Sequence, residues 1–128
     1  MSVRQTALVA GATGSIGGGA ATALAKRGAH VVVLGRNPDR SEARANSIRA
    51  ELSKVGVEGS VIDTLTIDFS DMNSVRLAAV EALKRFPVIN SLVLSSGALV
   101  QDGPNILPNG HELMFATDVM GPFLFTQL

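Results

Sequence analysis

The sequence contains no cysteine, no tryptophan and no tyrosine among its 128 residues. Without cysteine there is no disulfide framework, no thiolate metal site and no cysteine nucleophile. The two histidines are too few for a metal site built on imidazole ligands, so no metal is expected. Because tyrosine is missing too, no phenolic hydroxyl is available as a general acid.

An excess of charge of one sign is also missing, because eleven Lys and Arg residues balance eleven Asp and Glu residues. A chain without net charge has no general attraction for nucleic acid or for an anionic membrane, so neither is an expected partner. The sequence has neither a signal-peptide pattern at its start nor an apolar run long enough to span a bilayer. A cytoplasmic protein is therefore expected.

Short apolar runs alternate with longer stretches of helical periodicity. The apolar runs cover residues 6–10, 30–34, 61–67 and 91–94, and the helical stretches cover about 15–27, 39–54, 71–85 and 111–128. Strands joined by helices of this length pair in parallel through right-handed crossovers. The pattern predicts an α/β fold with a doubly wound parallel sheet, a Rossmann-type domain over residues 1–128.

Two of the helical stretches carry apolar residues that are expected to face the core. These residues are Ile16, Ala20, Ala23 and Leu24 in the first helix and Met114, Phe115 and Phe123 in the last. The last stretch reaches Leu128 without a cap or a glycine stop. The domain is therefore expected to be incomplete at its carboxyl-terminal end.

A glycine-rich segment with the sequence Gly-Ala-Thr-Gly-Ser-Ile-Gly follows the first predicted strand and opens the first predicted helix. Such glycines allow a tight turn and let backbone N–H groups and the helix N-terminus approach a diphosphate. The segment predicts a dinucleotide site that includes Gly11, Thr13, Gly14, Ser15, Ile16 and Gly17. A glycine turn without a ligand is the alternative, but the strand, turn and helix context favours binding.

The end of the second predicted strand indicates which dinucleotide binds. NAD sites place an acidic residue here to bind the ribose 2′-hydroxyl, and an arginine nearby accommodates the 2′-phosphate of NADP. This sequence has Gly35 at the expected position of the acid, followed by Arg36 and Asn37. NADP(H) is therefore favoured over NAD(H), with a solvated surface role for Arg36 as the alternative.

Taken together, these segments resemble the short-chain dehydrogenase/reductase family. The family motif Thr-Gly-x-x-x-Gly-x-Gly corresponds to residues 10–17, where Ser15 stands at the middle glycine. A second family segment, Asp-Leu, binds the adenine and corresponds to Asp68 and Phe69, although Asp68 could instead brace the following helix. A third, Leu-Val-Asn-Asn-Ala-Gly, corresponds to residues 92–97, with Leu94 and Ser95 at the two asparagines. This correspondence adds Ser95, Ser96 and Gly97 to the implied cofactor site.

The final helical stretch resembles the family's retinol-dehydrogenase-like members, in which an Asn precedes Gly-x-Phe-x-Leu-Thr. Asp118 stands at the position of that Asn, which helps to order a proton relay in the family. Asp118 is therefore the catalytic candidate. An ionised carboxylate accepts hydrogen bonds without donating them, and a plain polar helix position is the alternative role.

The family's catalytic Ser and Tyr-x-x-x-Lys have no counterpart in these residues. The resemblance implies an NADP(H)-dependent oxidoreductase that interconverts a carbonyl and an alcohol of a small molecule by hydride transfer and forms a homo-oligomer. This chain would be its cofactor-binding half and would be inactive alone. A non-catalytic NADP(H)-binding module or redox sensor is the alternative.

Overall fold

The computed structural model describes residues 3–128 and shows strands and helices in the predicted alternation. The strands are β1 (Thr6–Ala10), β2 (His30–Gly35), β3 (Ile62–Thr66) and β4 (Ser91–Leu94). The helices are α1 (Ser15–Lys26), α2 (Pro38–Lys54), α3 (Met72–Arg85), the single turn α4 (Leu113–Phe115), a π-helical segment (Ala116–Met120) and α5 (Gly121–Gln127). Each boundary outside the last stretch lies within one residue of the sequence prediction.

All strand pairs are parallel, and the sheet order is β3-β2-β1-β4. Because alternate strand residues point to opposite faces, Leu8 and Val32 join one core while Val9 and Val33 join another. The first core packs against α3 and α5, and the second packs against α1 and α2. Helices therefore cover both faces, which confirms the doubly wound α/β fold.

Local sequence signals explain where the helices begin and end. Gly28 follows α1 with a φ of 89°, a conformation that glycine adopts without strain. The side chain of Asn37 accepts a hydrogen bond from the Arg40 N–H and caps α2, which begins at Pro38. The Asp71 carboxylate caps α3 by accepting from the N–H groups of its first turn.

The buried face of α1 differs from the prediction. Ile16 is 82% exposed and Ala23 is exposed, so their assignment to the core face is wrong. Leu24 is half-buried and packs against the second core as predicted, and Ala20 is also half-buried. The fully buried positions of the helix are Gly17, Gly18, Ala21 and Ala25. Small side chains let α1 approach the strands closely, and a Cβ on Gly17 would collide with the carbonyl oxygen of Gly11.

The last helical stretch also differs from the prediction, because it is divided by the π-helical segment. Phe115 is 53% exposed and Phe123 is 65% exposed, so their assignment to the core is wrong, and Met114 is half-buried. The wide π turn shifts the helical periodicity, so that Phe125 reaches the core instead and meets Phe69 edge to face. Within residues 3–128, no helix is both long enough and apolar enough to span a bilayer.

Candidate functional site

A cleft of about 510 Å³ opens at the carboxyl ends of all four strands. Its walls are formed by residues that follow each strand and by the last helical stretch. The main lining residues are Gly11, Thr13 and Gly14 after β1, residues 35–37 with Arg40 and Ser41 after β2, residues 67–69 after β3, residues 95–100 after β4, and Leu113 with Thr117. From β1 the next two strands are added on one side of the sheet, and β4 is added on the other side. This switch in strand order opens a crevice beside β1 and β4, where α/β folds bind ligands.

The glycine turn after β1 forms the floor of the cleft. Gly11 has a φ of 79°, and a Cβ there would lie 2.6 Å from the Ser95 carbonyl carbon. The Gly14 N–H donates to the Gly11 carbonyl oxygen at 3.0 Å, which closes the turn. Gly14 is also the N-cap of α1 and supplies no side-chain cap. The first N–H groups of α1 therefore remain available to an anion.

At the end of β2, two arginines border the cleft. Arg36 directly follows the strand, and Arg40 lies one helical turn later in α2. A Cβ on Gly35 would lie 2.5 Å from the Ser41 Oγ, so an acidic side chain at this position has no room unless Ser41 moves. Sequence reasoning missed Arg40, although its spacing of four residues from Arg36 at a helix start was a usable signal.

Asp68 and Phe69 lie on the cleft wall after β3, as predicted. One oxygen of the Asp68 carboxylate accepts from the Ser70 N–H at 2.9 Å and from the Ser70 hydroxyl at 2.7 Å. The Asp68 N–H donates to the Ser74 hydroxyl oxygen in α3. The Asp68 carboxylate therefore holds Ser70 just before α3, and the contact with α3 itself uses the Asp68 backbone. The contact of Asp68 with an adenine stays a prediction.

Ser95 fastens the end of β4 to the end of β1. Its N–H and its hydroxyl both donate to the Ala10 carbonyl oxygen, at 3.1 Å and 2.8 Å. Ser96 and Gly97 continue the same wall of the cleft. The predicted set Ser95, Ser96 and Gly97 is therefore brought together beside the glycine turn.

Three hydroxyls on the cleft wall are buried and have no hydrogen-bond partner among the described residues. They belong to Ser41, Ser96 and Thr117. A buried hydroxyl without a partner costs about 1–3 kcal/mol, so polar atoms of a ligand are its natural partners. Sequence reasoning missed Ser41 and Thr117, because only the tertiary structure shows that they are buried.

Asp118 lies in the π-helical segment, next to the cleft but outside its lining. Its Oδ1 accepts a hydrogen bond from the Ala98 N–H at 2.7 Å and so ties the segment to the loop after β4. The carboxylate acts here as an acceptor, as its chemistry requires, and its catalytic role stays a prediction. Ser15, Ile16 and Gly17 also lie outside the cleft lining.

Titratable side chains form no metal centre in the part of the chain that the structure describes, because no group of three or more His, Asp or Glu residues comes together. The His30 Nε2 instead lies within hydrogen-bond distance of the Asp63 Oδ2 on the neighbouring strand, at 2.7 Å. Its ring also packs edge to face against Phe86. This cluster stands at the start of β2, at the opposite end of the strand from Arg36.

Comparison with known proteins gives a consistent result. The family model described as short chain dehydrogenase matches residues 5–128. Retinol dehydrogenase 13 of Mus musculus is 30% identical over 125 residues, which cover 97% of this chain and 35% of that protein. The chloroplastic short-chain dehydrogenase TIC 32 A of Brassica napus is 32% identical, over 96% of this chain and 37% of its own length. The chain thus spans little more than a third of these relatives.

Solved structures show the same fold. A metagenomic short-chain oxidoreductase in complex with NADP superposes with a TM-score of 0.79 and 25% identity, over 96% of this chain and 53% of that one. A 3-oxoacyl (acyl-carrier-protein) reductase from Agrobacterium tumefaciens C58 with NADP bound gives a TM-score of 0.75 and 26% identity, over 96% and 45%. The chain therefore spans about half of each of these proteins.

Proposed function

Because the chain belongs to the short-chain dehydrogenase family, we propose that residues 1–128 are a domain that binds NADP(H) in the cleft at the carboxyl ends of its strands. The observation that carries the proposal is that three buried hydroxyls without partners, those of Ser41, Ser96 and Thr117, all line this one cleft. A dinucleotide has phosphate, ribose and amide groups along its whole length and can satisfy such hydroxyls. The two similar structures described as NADP complexes support the choice of ligand.

The glycine turn fits the diphosphate of the cofactor. Gly11 and Gly14 keep side chains away from the approach, and the uncapped N-terminus of α1 offers N–H groups and a partial positive charge. We assign the diphosphate to Gly11, Thr13, Gly14, Ser15, Ile16 and Gly17. Because Ser15, Ile16 and Gly17 do not line the cleft, their assignment depends on the family motif.

The residues after β2 fit the 2′-phosphate of NADP(H). Arg36 offers a fixed cation there, with Asn37 beside it, and Arg40 adds a second cation from α2. Because Gly35 has no side chain, the carboxylate that NAD sites carry at this position, and that would repel a phosphate, is missing. Binding of NAD(H) is the second choice, because Gly35 offers no carboxylate for the 2′-hydroxyl of a plain ribose.

The remaining walls fit the two ends of the cofactor. Asp68 and Phe69 take the adenine, and Ser95, Ser96 and Gly97 take the ribose next to the nicotinamide. Bound NADP(H) would supply or accept a hydride. The chain's own residues would bind and orient it.

For the whole protein we propose the interconversion of a small carbonyl compound and the corresponding alcohol. Reduction of a carbonyl also needs a proton donor at the developing alkoxide. These residues contain no tyrosine, and the Asp118 carboxylate is already bound to the Ala98 N–H. The chain alone is therefore expected to lack reductase activity. A cytoplasmic location and a homo-oligomeric state stay predictions.

The test of cofactor choice is the Arg36→Ala variant, titrated with NADPH and with NADH by calorimetry. A charge-assisted phosphate contact contributes about 1.5–3 kcal/mol, so NADPH should bind roughly 10- to 150-fold more weakly while NADH barely changes. Arg27→Ala is the matched control, because Arg27 is an exposed arginine at the far end of α1. Equal losses for both cofactors would rule out a 2′-phosphate contact at Arg36.

A second candidate is a non-catalytic NADP(H)-binding module or redox sensor. The observations that favour it are Leu94 and Ser95 at the family's two asparagines and Asp118 at a third. Sequencing the transcript beyond the codon for Leu128 separates the two candidates. A downstream Ser and Tyr-x-x-x-Lys support the enzyme, whereas an immediate stop codon supports the binding module.

A further inference from the structure

An arginine on α2 reaches across to the glycine turn. The Arg44 Nη2 donates a hydrogen bond to the Thr13 carbonyl oxygen at 3.0 Å. Thr13 is exposed and lines the cleft. The other hydrogen bonds at the turn, from the Gly14 N–H to Gly11 and from the Gly18 N–H to Gly14, stay within it and α1. The Arg44 contact therefore ties the turn to a different element of the fold.

The guanidinium group of Arg44 and the glycine turn together crowd position 18. A Cβ on Gly18 would lie 3.1 Å from the Ala12 carbonyl oxygen, 3.1 Å from the Arg44 Cζ and 3.2 Å from the Arg44 Nη1. A Cβ on the next residue, Gly19, would meet nothing within 4 Å. Gly18 is thus the place where α1 lies close to both the turn and Arg44, whereas Gly19 faces open space.

We propose that Arg44 is a positioning residue for cofactor binding, which holds the glycine turn in the shape that receives the diphosphate. This inference rests on the proposed NADP(H) binding. A turn rich in glycine is costly to order, because glycine loses more conformational freedom than any other residue. A contact that orders the turn in advance reduces that cost at the moment of binding. The positive charge of Arg44 beside Thr13 also favours the anionic diphosphate.

The effect should differ in kind from that of Arg36. The diphosphate is common to NADPH and NADH, so the loss of Arg44 should weaken both cofactors by the same factor. Arg36 should affect only the cofactor that carries a 2′-phosphate. A merely structural role for Arg44 would change the stability of the fold without changing the affinity of the folded protein.

Arg49 provides a matched control on the same helix. Like Arg44, it donates from Nη2 to a backbone carbonyl oxygen of another element, in this case Ile62 at the start of β3. It also pairs with Glu42 within α2. Arg49→Ala thus removes a comparable link at a place remote from the glycine turn.

The first measurement is amide hydrogen exchange by NMR on the ligand-free chain. In Arg44→Ala, the Gly14 amide should exchange about tenfold faster than in the wild type, because the turn opens more often. The Val57 amide, which donates to the Leu52 carbonyl oxygen after α2, should keep its rate. Arg49→Ala should leave the Gly14 amide unchanged, and Arg44→Lys should restore part of its protection, since an ammonium group can donate to the same carbonyl oxygen.

The second measurement is calorimetric titration of the same variants with NADPH and with NADH. Arg44→Ala should weaken both by about tenfold, which corresponds to about 1.4 kcal/mol. Unchanged exchange at Gly14, or unchanged affinity despite faster exchange, would overturn the positioning role. If the wild type bound neither cofactor, the proposed function itself would fail, and the exchange rates alone would decide whether Arg44 holds the turn.

Discussion

Residues 6–54 and residues 91–128 differ in how completely their apolar side chains are buried. In the first region, α1 packs on the sheet through small residues such as Ala21 and Ala25, and α2 packs on it through Ile48 and Leu52. In the second region, β4 leaves Leu92 and Leu94 more than a third exposed, and a stripe of Phe115, Val119 and Phe123 faces outward. The contacts proposed for the 2′-phosphate and the diphosphate lie in the first region, while Leu94, Ser95 and Asp118, which stand at asparagine positions of the family, lie in the second. The proposed nucleotide contacts therefore depend mainly on the first region, and the second region adds Ser95, Ser96 and Gly97 to the cleft wall.

The largest effect is expected in the tightly packed first region. A Cβ on Gly17 would collide with the Gly11 carbonyl oxygen and approach the Ser95 Oγ to 2.5 Å. Gly17→Ala should therefore lower the free energy of unfolding by about 3 kcal/mol, the upper range for overpacking. Urea denaturation measures this change.

Gly19→Ala is the control for that prediction, because it lies two residues away in the same helix with open space around it. It should raise the free energy of unfolding by about 1 kcal/mol, since alanine is the better helix former. Equal effects of the two substitutions would mean that α1 does not approach the turn as closely as described.

In the second region, the exposed stripe should drive self-association. The double variant Val119→Gln and Phe123→Gln should raise the dissociation constant of self-association by about tenfold or more, because burying even one such side chain contributes about 1.5–3 kcal/mol. Sedimentation equilibrium measures it. Leu77→Gln, at an exposed apolar position of α3, is the control. A monomeric wild type, or an equal effect of Leu77→Gln, would refute the role of the stripe.

A smaller effect is expected at Asp118, whose carboxylate joins the π-helical segment to the loop after β4. Asp118→Ala removes the acceptor of the Ala98 N–H and should lower the free energy of unfolding by about 1 kcal/mol. Asp118→Asn keeps an oxygen acceptor and should change stability by less than about 0.5 kcal/mol. NADPH affinity should stay within about threefold in both variants. A large loss of affinity in Asp118→Asn would show that the carboxylate charge itself serves binding.

The smallest effect concerns an ion pair between α1 and α2. The hydrogen bond from the Lys26 ammonium, at 2.8 Å, and its positive charge hold the pKa of Glu51 below its ordinary value of 4.5. A lowered folded-state pKa stabilises the fold above the unfolded value and loses this contribution as pH falls through the folded value. Glu51→Gln should therefore slightly flatten the acid side of the stability profile. Identical stability profiles for the wild type and Glu51→Gln would contradict this contribution of the ion pair.

The sheet and the glycine turn could be predicted because their signals are local. Buried parallel strands are continuous apolar runs, and the turn combines Gly11 and Gly14 with a strand before it and a helix after it. The buried face of α1 could not be predicted from hydrophobicity, because closeness to the sheet selects Gly17 and Ala21 over the larger Ile16.

Other features depend on tertiary contacts that no local pattern contains. The π-helical segment shifts the periodicity after Phe115 without a proline or glycine inside it to mark the change. Ser41 and Thr117 resemble ordinary polar helix residues until the fold buries them beside the cleft. In the sequence, Arg44 is indistinguishable from an ordinary surface arginine of a helix. Only the structure shows its hydrogen bond to the Thr13 carbonyl oxygen.

We propose that this chain alone prefers the nucleotide that carries a 2′-phosphate. The most direct test is calorimetric titration of the 128-residue chain with adenosine 2′,5′-bisphosphate and with AMP, which differ only in the 2′-phosphate. The bisphosphate should bind at least about tenfold more tightly, because it makes one additional charge-assisted contact. Equal affinities for the two nucleotides would contradict it.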